Sequence, residues 1–182
     1  DTRPYGVHVY VGQYLPDWRP DTDYRKSYSA IKAEGGGALR DLCHELDYLN
    51  WMLGGWTKMA AIGGHVSELE IDSDDIFSLL YKTERCPVVS VQMNYLDSTL
   101  RREVLALTNK GSIRADLVRG TVEHGGETET FPVSGDDCYL AQHQAAMSGQ
   151  TESLCSAEQA LDVMRMIDAA EAAATSATWV RA

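Results

Sequence analysis

Asp41, His44 and Tyr48 stand at i, i+3 and i+7 within the run GGGALRDLCHELDYLNWMLGG, residues 35–55. On a single helix such positions share one face. A carboxylate beside an imidazole can act as a general base. The acid orients the ring and stabilises its protonated form, while the ring takes a proton from a hydroxyl. The same pair on an exposed helix can equally be a solvated surface pair with little energetic weight.

These residues need an element to hold them. Gly35-Gly36-Gly37 breaks the chain, so a helix is expected to start just after it. Leu42, Leu46, Leu49 and Leu53 recur at i, i+4, i+7 and i+11, an apolar stripe on a different face from Asp41, His44 and Tyr48. Gly54-Gly55 supplies the stop, because glycine accepts the left-handed backbone of a helix end. The glycine triplet lacks the GxxxxGK[ST] pattern of a phosphate loop, and no GxGxxG follows a strand.

Around this run, Val7, Val9 and Val11 alternate with His8 and Tyr10 as in a strand with one apolar face. Residues 15–29 carry prolines, aspartates and aromatic and basic residues and read as a loop. Trp18, Arg19, Tyr24 and Arg25 in it could contact a polar or anionic substrate, or could anchor the loop. Residues 57–132 read as successive short strands, including Val89, Val91, Met93 and Tyr95, with turns at Asn109-Lys110-Gly111 and Gly125-Gly126. Strands following one another without helices between them predict a mainly antiparallel sheet. Residues 136–148 and 156–176 read as helices. Ser156 and Gln159 form a capping-box pattern, and Leu161, Met164 and Ile167, extended by Val163 and Ala170, are read as the apolar side of the second helix. The expected fold is α+β: one domain over residues 1–182, an open, mainly antiparallel (mixed) sheet with helices packed on one face.

Composition narrows the partners. The chain has 182 residues and a formal charge of −11, which repels phosphate backbones and argues against nucleic acid. No apolar run reaches the ~20 residues that a membrane span needs. Cys43, Cys86, Cys138 and Cys155 are scattered, without zinc-site spacing. They suit a reducing compartment, so the protein is expected in the cytoplasm. His8 reads as a packed or surface residue of its strand, His65, His124 and His143 have no carboxylate or cysteine at ligand spacing, and Ser73-Asp74-Asp75 reads as an acidic turn, so no metal is expected. The first residues, Asp1-Thr2-Arg3-Pro4, lack a signal-peptide pattern and an initiator Met, which predicts a start within a longer protein.

The run from Gly35 to Gly55 resembles the signature of the C-terminal domain of the Gfo/Idh/MocA oxidoreductases, the glucose–fructose oxidoreductase and inositol dehydrogenase superfamily. The strand 5–11, the polar loop 24–28 and the last helix 156–176 agree in order and pattern. The resemblance implies an N-terminal Rossmann domain that binds NAD or NADP and supplies a catalytic lysine. That domain is not in this chain, which has no Glu-Lys-Pro triplet, so the chain alone is expected to bind no nicotinamide and to be catalytically incomplete. It also implies that Asp41 binds or orients substrate and that His44 is the base. The family more often separates these positions by four; here they are three apart, while His44 to Asp47 keep the H-x-x-D form. The implied activity is nicotinamide-dependent oxidation or reduction of a sugar or polyol, with Tyr24, Arg25, Trp18 and Tyr48 as candidate substrate contacts. Homo-oligomers built on the sheet face are implied as well. The competing expectation is a non-catalytic domain that binds a sugar-like ligand or self-associates.

Overall fold

Alternating valines make β1 (Pro4–Gly12) a strand with one buried face: Val7, Val9 and Val11 are buried while His8 is exposed. The computed structural model describes residues 2–132 and 135–182. After β1, residues 15–34 are not irregular throughout, as the proline and aspartate content predicts. They fold into short 3₁₀ turns at Leu15–Asp17, Tyr24–Lys26, Tyr28–Ala30 and Lys32–Glu34.

The helix expected after the glycine triplet is two helices. α1 (Ala38–Asp41) is a single turn, and α2 (His44–Leu53) starts after a break at Leu42 and Cys43. The apolar stripe holds across the break: Leu42, Leu46, Leu49 and Leu53 are all buried. Full burial of a leucine contributes about 1.5–3 kcal/mol, so this stripe anchors both segments. Gly54, at φ 77°, ends α2 and returns its amide to the Asn50 carbonyl.

The strands β2 (Trp56–Gly64), β3 (Ile76–Thr83), β4 (Val89–Asn94), β5 (Arg101–Thr108), β6 (Gly111–Asp116), β7 (Thr121–His124) and β8 (Glu127–Thr130) follow. Then come α3 (Asp137–Ser148), α4 (Ala157–Ser176) and the short β9 (Val180–Arg181). The strands form one nine-stranded sheet in the order β8-β7-β6-β5-β1-β4-β3-β2-β9. Only β1 and β4 run parallel among these pairs; every other neighbour is antiparallel. The fold is therefore the expected α+β layer with a mixed, mostly antiparallel open sheet.

Register decides which side chains lie beneath the helices. Val9, Val91, Leu79 and Ala61 align across β1, β4, β3 and β2. With Val89, Met93, Phe77 and Tyr81 they pack into the core with α1, α2 and α4. Tyr95, just past β4, is buried in the same core. The opposite face carries the alternate set, which includes Ser90, Leu80, Ile62 and Leu105.

α4 opens with the expected capping box: Ser156 Oγ accepts from the Gln159 amide, and Gln159 Oε1 accepts from the Ser156 amide. Its buried side agrees with the sequence reading at Val163, Ile167 and Ala170 and departs from it at Leu161 and Met164. Val163, Met166, Ile167, Ala170 and Ala173 face the core, while Leu161 and Met164 are exposed. The helix is fixed by its packing on β2 and α2, and that contact selects the small-residue side. α3 has no buried residue.

Candidate active site

Two glycines let the backbone enter the site tightly. A Cβ at Gly36 would collide with the Tyr28 and Ser29 carbonyls, and one at Gly37 (φ 123°) with the Asp74 carboxylate. Asp74 then caps α1. Its carbonyl accepts from the Ala38 amide at 2.9 Å, and its Oδ2 from the Leu39 amide at 2.9 Å. Burial pushes the Asp74 carboxyl above the usual carboxylate range, against the pull of the Leu39 amide. Ser73 donates to the Ser29 carbonyl, and Asp75 accepts from the Val66 and Ser67 amides and the Ser67 hydroxyl. Ser73-Asp74-Asp75 is thus a turn that builds the wall of the site. His65, alone in sequence, comes within 3.6 Å of Asp75 in space.

Asp41 closes α1. Its Oδ2 accepts from the Tyr95 hydroxyl at 2.7 Å. Tyr95 is fully buried, and its ring meets Trp18 edge-on at 5.2 Å between centroids. Burial foremost, and then the Asp41 charge, push the Tyr95 phenol well above its ordinary range, so it remains a proton donor. His44 is exposed as the first residue of α2. Among the described residues, no hydrogen bond or ion pair joins it to Asp41. The break at Leu42 and Cys43 places the two on separate helical segments, so they do not form the pair that one continuous helix would give.

The break also changes the reading of Tyr48. Its hydroxyl is buried without a hydrogen-bond partner by distance and angle among the described residues, and burial first, then the neighbouring Glu45 carboxylate, push the phenol well above its ordinary range. Its edge lines a small cavity with Asp47, Trp51, Leu154, Cys155 and Gln159. Beside it, Glu45 is fully buried and accepts from Arg102 Nε at 2.7 Å. Of the loop residues, Trp18 packs on the partner of Asp41. Tyr24 and Arg25 are engaged elsewhere: the Tyr24 hydroxyl accepts from the Glu70 amide, and Arg25 is forked on Asp23 and also reaches Glu70.

Tyr95, Asp74 and the Glu45–Arg102 pair were not marked by the sequence as parts of the site. Tyr95 reads there as the end of an alternating strand, and its only signal was a phenol following Val89, Val91 and Met93. Among the described residues, no group of three His, Cys, Asp or Glu side chains could hold a metal ion, and no helix is long and apolar enough to cross a membrane.

A nicotinamide dinucleotide does not fit the glycine-rich start of α1. Pyrophosphate is held by free amides at such a start. Here the amides of Gly37, Ala38 and Leu39 are committed to the Ser29 carbonyl, the Asp74 carbonyl and the Asp74 carboxylate.

Residues 3–114 match the family model of the GFO/IDH/MocA C-terminal domain. The chain belongs to the GFO/IDH/MocA family. Comparison with curated protein sequences gave no significant match. Among solved structures, the chain is similar to levoglucosan dehydrogenase in complex with NADH (16% identity, TM-score 0.81), covering 98% of this chain and 58% of that one. It is similar to the WlbA dehydrogenase from Bordetella pertussis in complex with NADH and UDP-GlcNAcA (16% identity, TM-score 0.74, 99% and 57% coverage). GenD2 from gentamicin A biosynthesis, in complex with NAD, matches at 20% identity and TM-score 0.76, with 99% and 56% coverage. At these identities the likeness is one of fold, and this GFO/IDH/MocA domain spans a little over half the length of each of those chains.

Proposed function

We propose that this chain is the substrate side of an NAD- or NADP-dependent oxidoreductase acting on a hydroxyl or carbonyl of a sugar or polyol. The observation that carries the reading is the Asp41 carboxylate, fixed by Tyr95 at the end of a capped single turn, with the exposed His44 opening the next helix. In this reading Asp41 orients the reacting hydroxyl. His44 takes its proton as the alcohol becomes a carbonyl, and returns it in reduction. Hydride chemistry belongs to the nicotinamide, held by residues outside this chain. Trp18 and Tyr48 border the sugar site in this reading, while Tyr24 and Arg25 act at a distance by holding the loop through Glu70 and Asp23. The solved relatives, crystallised with NADH and with UDP-GlcNAcA or L-sorbose, support the substrate class.

A second copy of the chain is the proposed partner for the open sheet face. Ile62, Leu80, Leu105 and Leu107 stay exposed there. They form two apolar patches, one on β2 and β3 and one on β5, with His8 and Ser90 between them, and exposed apolar patches commonly mark an interface. If self-association is the whole of the function, no redox turnover will be found.

The test uses the full-length protein with NAD or NADP and a panel of levoglucosan, L-sorbose, myo-inositol and UDP-GlcNAcA, followed by nicotinamide absorbance. Turnover of a panel member, abolished in His44→Asn, is expected. Absence of turnover on every member and with either cofactor would overturn the proposal.

A further inference from the structure

We infer that Tyr95 is a positioning residue of this active site, acting on the reaction through Asp41; the inference rests on the function proposed above. Three features separate Tyr95 from an ordinary core tyrosine.

The first is that its backbone is clamped on both sides. The Tyr95 amide donates to the Asp75 carbonyl at 2.8 Å, and its carbonyl accepts from the Leu15 amide at 3.0 Å. Those bonds tie the exit of β4 both to the turn that caps α1 and to the loop that carries Trp18. The second is that the ring has no freedom. It is fully buried and lies under the edge of Trp18, at an interplanar angle of 86°. The third is that its hydroxyl goes to a half-exposed carboxylate, not to a backbone carbonyl of its own layer.

Asp41 needs such a partner. A helix of four residues has no stability of its own, because nucleation is unfavourable and its hydrogen bonds are few. Asp74 secures the start of that turn; Tyr95 secures its last side chain. With Oδ2 engaged by the phenol, Oδ1 is left to accept from a substrate hydroxyl. A neutral donor, unlike an arginine, anchors the carboxylate while leaving its charge available to that hydroxyl and to a protonated His44. The Trp18–Tyr95–Asp41 chain therefore passes the position of the loop to the acid that holds the substrate.

The test is a double-mutant cycle in the full-length enzyme, using the panel member with the highest kcat/KM. Tyr95→Phe keeps the ring and removes only the hydroxyl. It is expected to lower kcat/KM by about 10- to 100-fold, the range for a misplaced catalytic group. The KM for the nicotinamide should stay within about twofold of wild type, because Tyr95 touches no cofactor group in this reading. In an Asp41→Ala background the same change should cost nothing further, since the residue through which it acts is gone.

If Tyr95→Phe does not fold, 3-fluorotyrosine placed at position 95 keeps the ring and the bond but changes the phenol's acidity. It should then alter kcat/KM in the Asp41 enzyme and not in Asp41→Ala. Equal losses in both backgrounds, or no loss in either, would overturn the role while leaving the proposed reaction standing. Absence of turnover by the wild-type enzyme would overturn the reaction, and this role with it.

Discussion

Glu45 and Arg102 form an ion pair at 2.7 Å in which the acid is fully buried and the base only partly exposed. One carboxylate oxygen is satisfied; the other, Oε2, is buried without a hydrogen-bond partner among the described residues. Removing the arginine would strand a charge in the core, a change that typically costs about 3–5 kcal/mol. Arg102→Leu is expected to destabilise the fold by about that amount, and Glu45→Gln by less, because the amide still accepts from the guanidinium. Urea unfolding of both variants checks the order. Equal, small losses would show that the pair is not carrying α2.

His44→Asn in the full-length enzyme is expected to lower kcat by about 10²- to 10⁴-fold, the usual contribution of a general base. Nicotinamide affinity should be nearly unchanged. Asp41→Asn should lower kcat less or raise KM, because it orients the hydroxyl and does not take its proton. Steady-state kinetics with thermal melting alongside decides. A surface role for His44 predicts normal turnover and a stability change within about 0.5 kcal/mol.

The chain by itself is expected not to bind NADH. The amides at the glycine-rich start of α1 are already occupied by Ser29 and Asp74. Isothermal titration calorimetry should give no saturable heat. Micromolar binding to the isolated chain would contradict this.

Light scattering of the wild-type chain should report a dimer or higher oligomer. Leu80→Lys, on the open sheet face, should shift it toward monomer without lowering its thermal stability. A wild-type monomer at high protein concentration would remove the case for self-association through this sheet.

The four cysteines are free. Burial first, and in Cys155 also the Asp47 carboxylate that accepts from its thiol, push the Cys43, Cys86 and Cys155 thiols upward. A raised pKa means less thiolate at a given pH, so alkylation should be slow near neutrality and quicken only as pH rises beyond the ordinary thiol range. Iodoacetamide labelling followed by peptide mass spectrometry should find the exposed Cys138 modified first. Faster labelling of Cys155 at neutral pH would contradict the assignment.

The sheet and its flanking helices were legible because their signals are local. The valines of β1, the leucines at 42, 46, 49 and 53 and the Ser156–Gln159 box each act within a few residues. What escaped was set at long range. Leu42 and Cys43 carry no helix-breaking chemistry, so the break between α1 and α2 cannot be read from them. It depends on Asp74 and Tyr95, 35 and 54 residues away from their partners. Glu45 carries no signal in the sequence, because its partner Arg102, 57 residues on, is invisible to a local pattern. Leu161 and Met164 read as core by type, yet the packing of α4 on β2 leaves them exposed and adds Met166 and Ala173 to the expected Val163, Ile167 and Ala170.

The interruption at Leu42 and Cys43 also works as an expansion joint. In an unbroken helix, removing one residue between Asp41 and His44 would rotate everything after it by about 100°, carrying Leu46, Leu49 and Leu53 out of the core. Two separately anchored segments absorb such a change in the link. α1 stays on its Asp74 cap and Tyr95, and α2 stays on its leucines. A spacing of three in place of four then alters how far His44 reaches toward Asp41, and leaves the packing beneath both of them as it was.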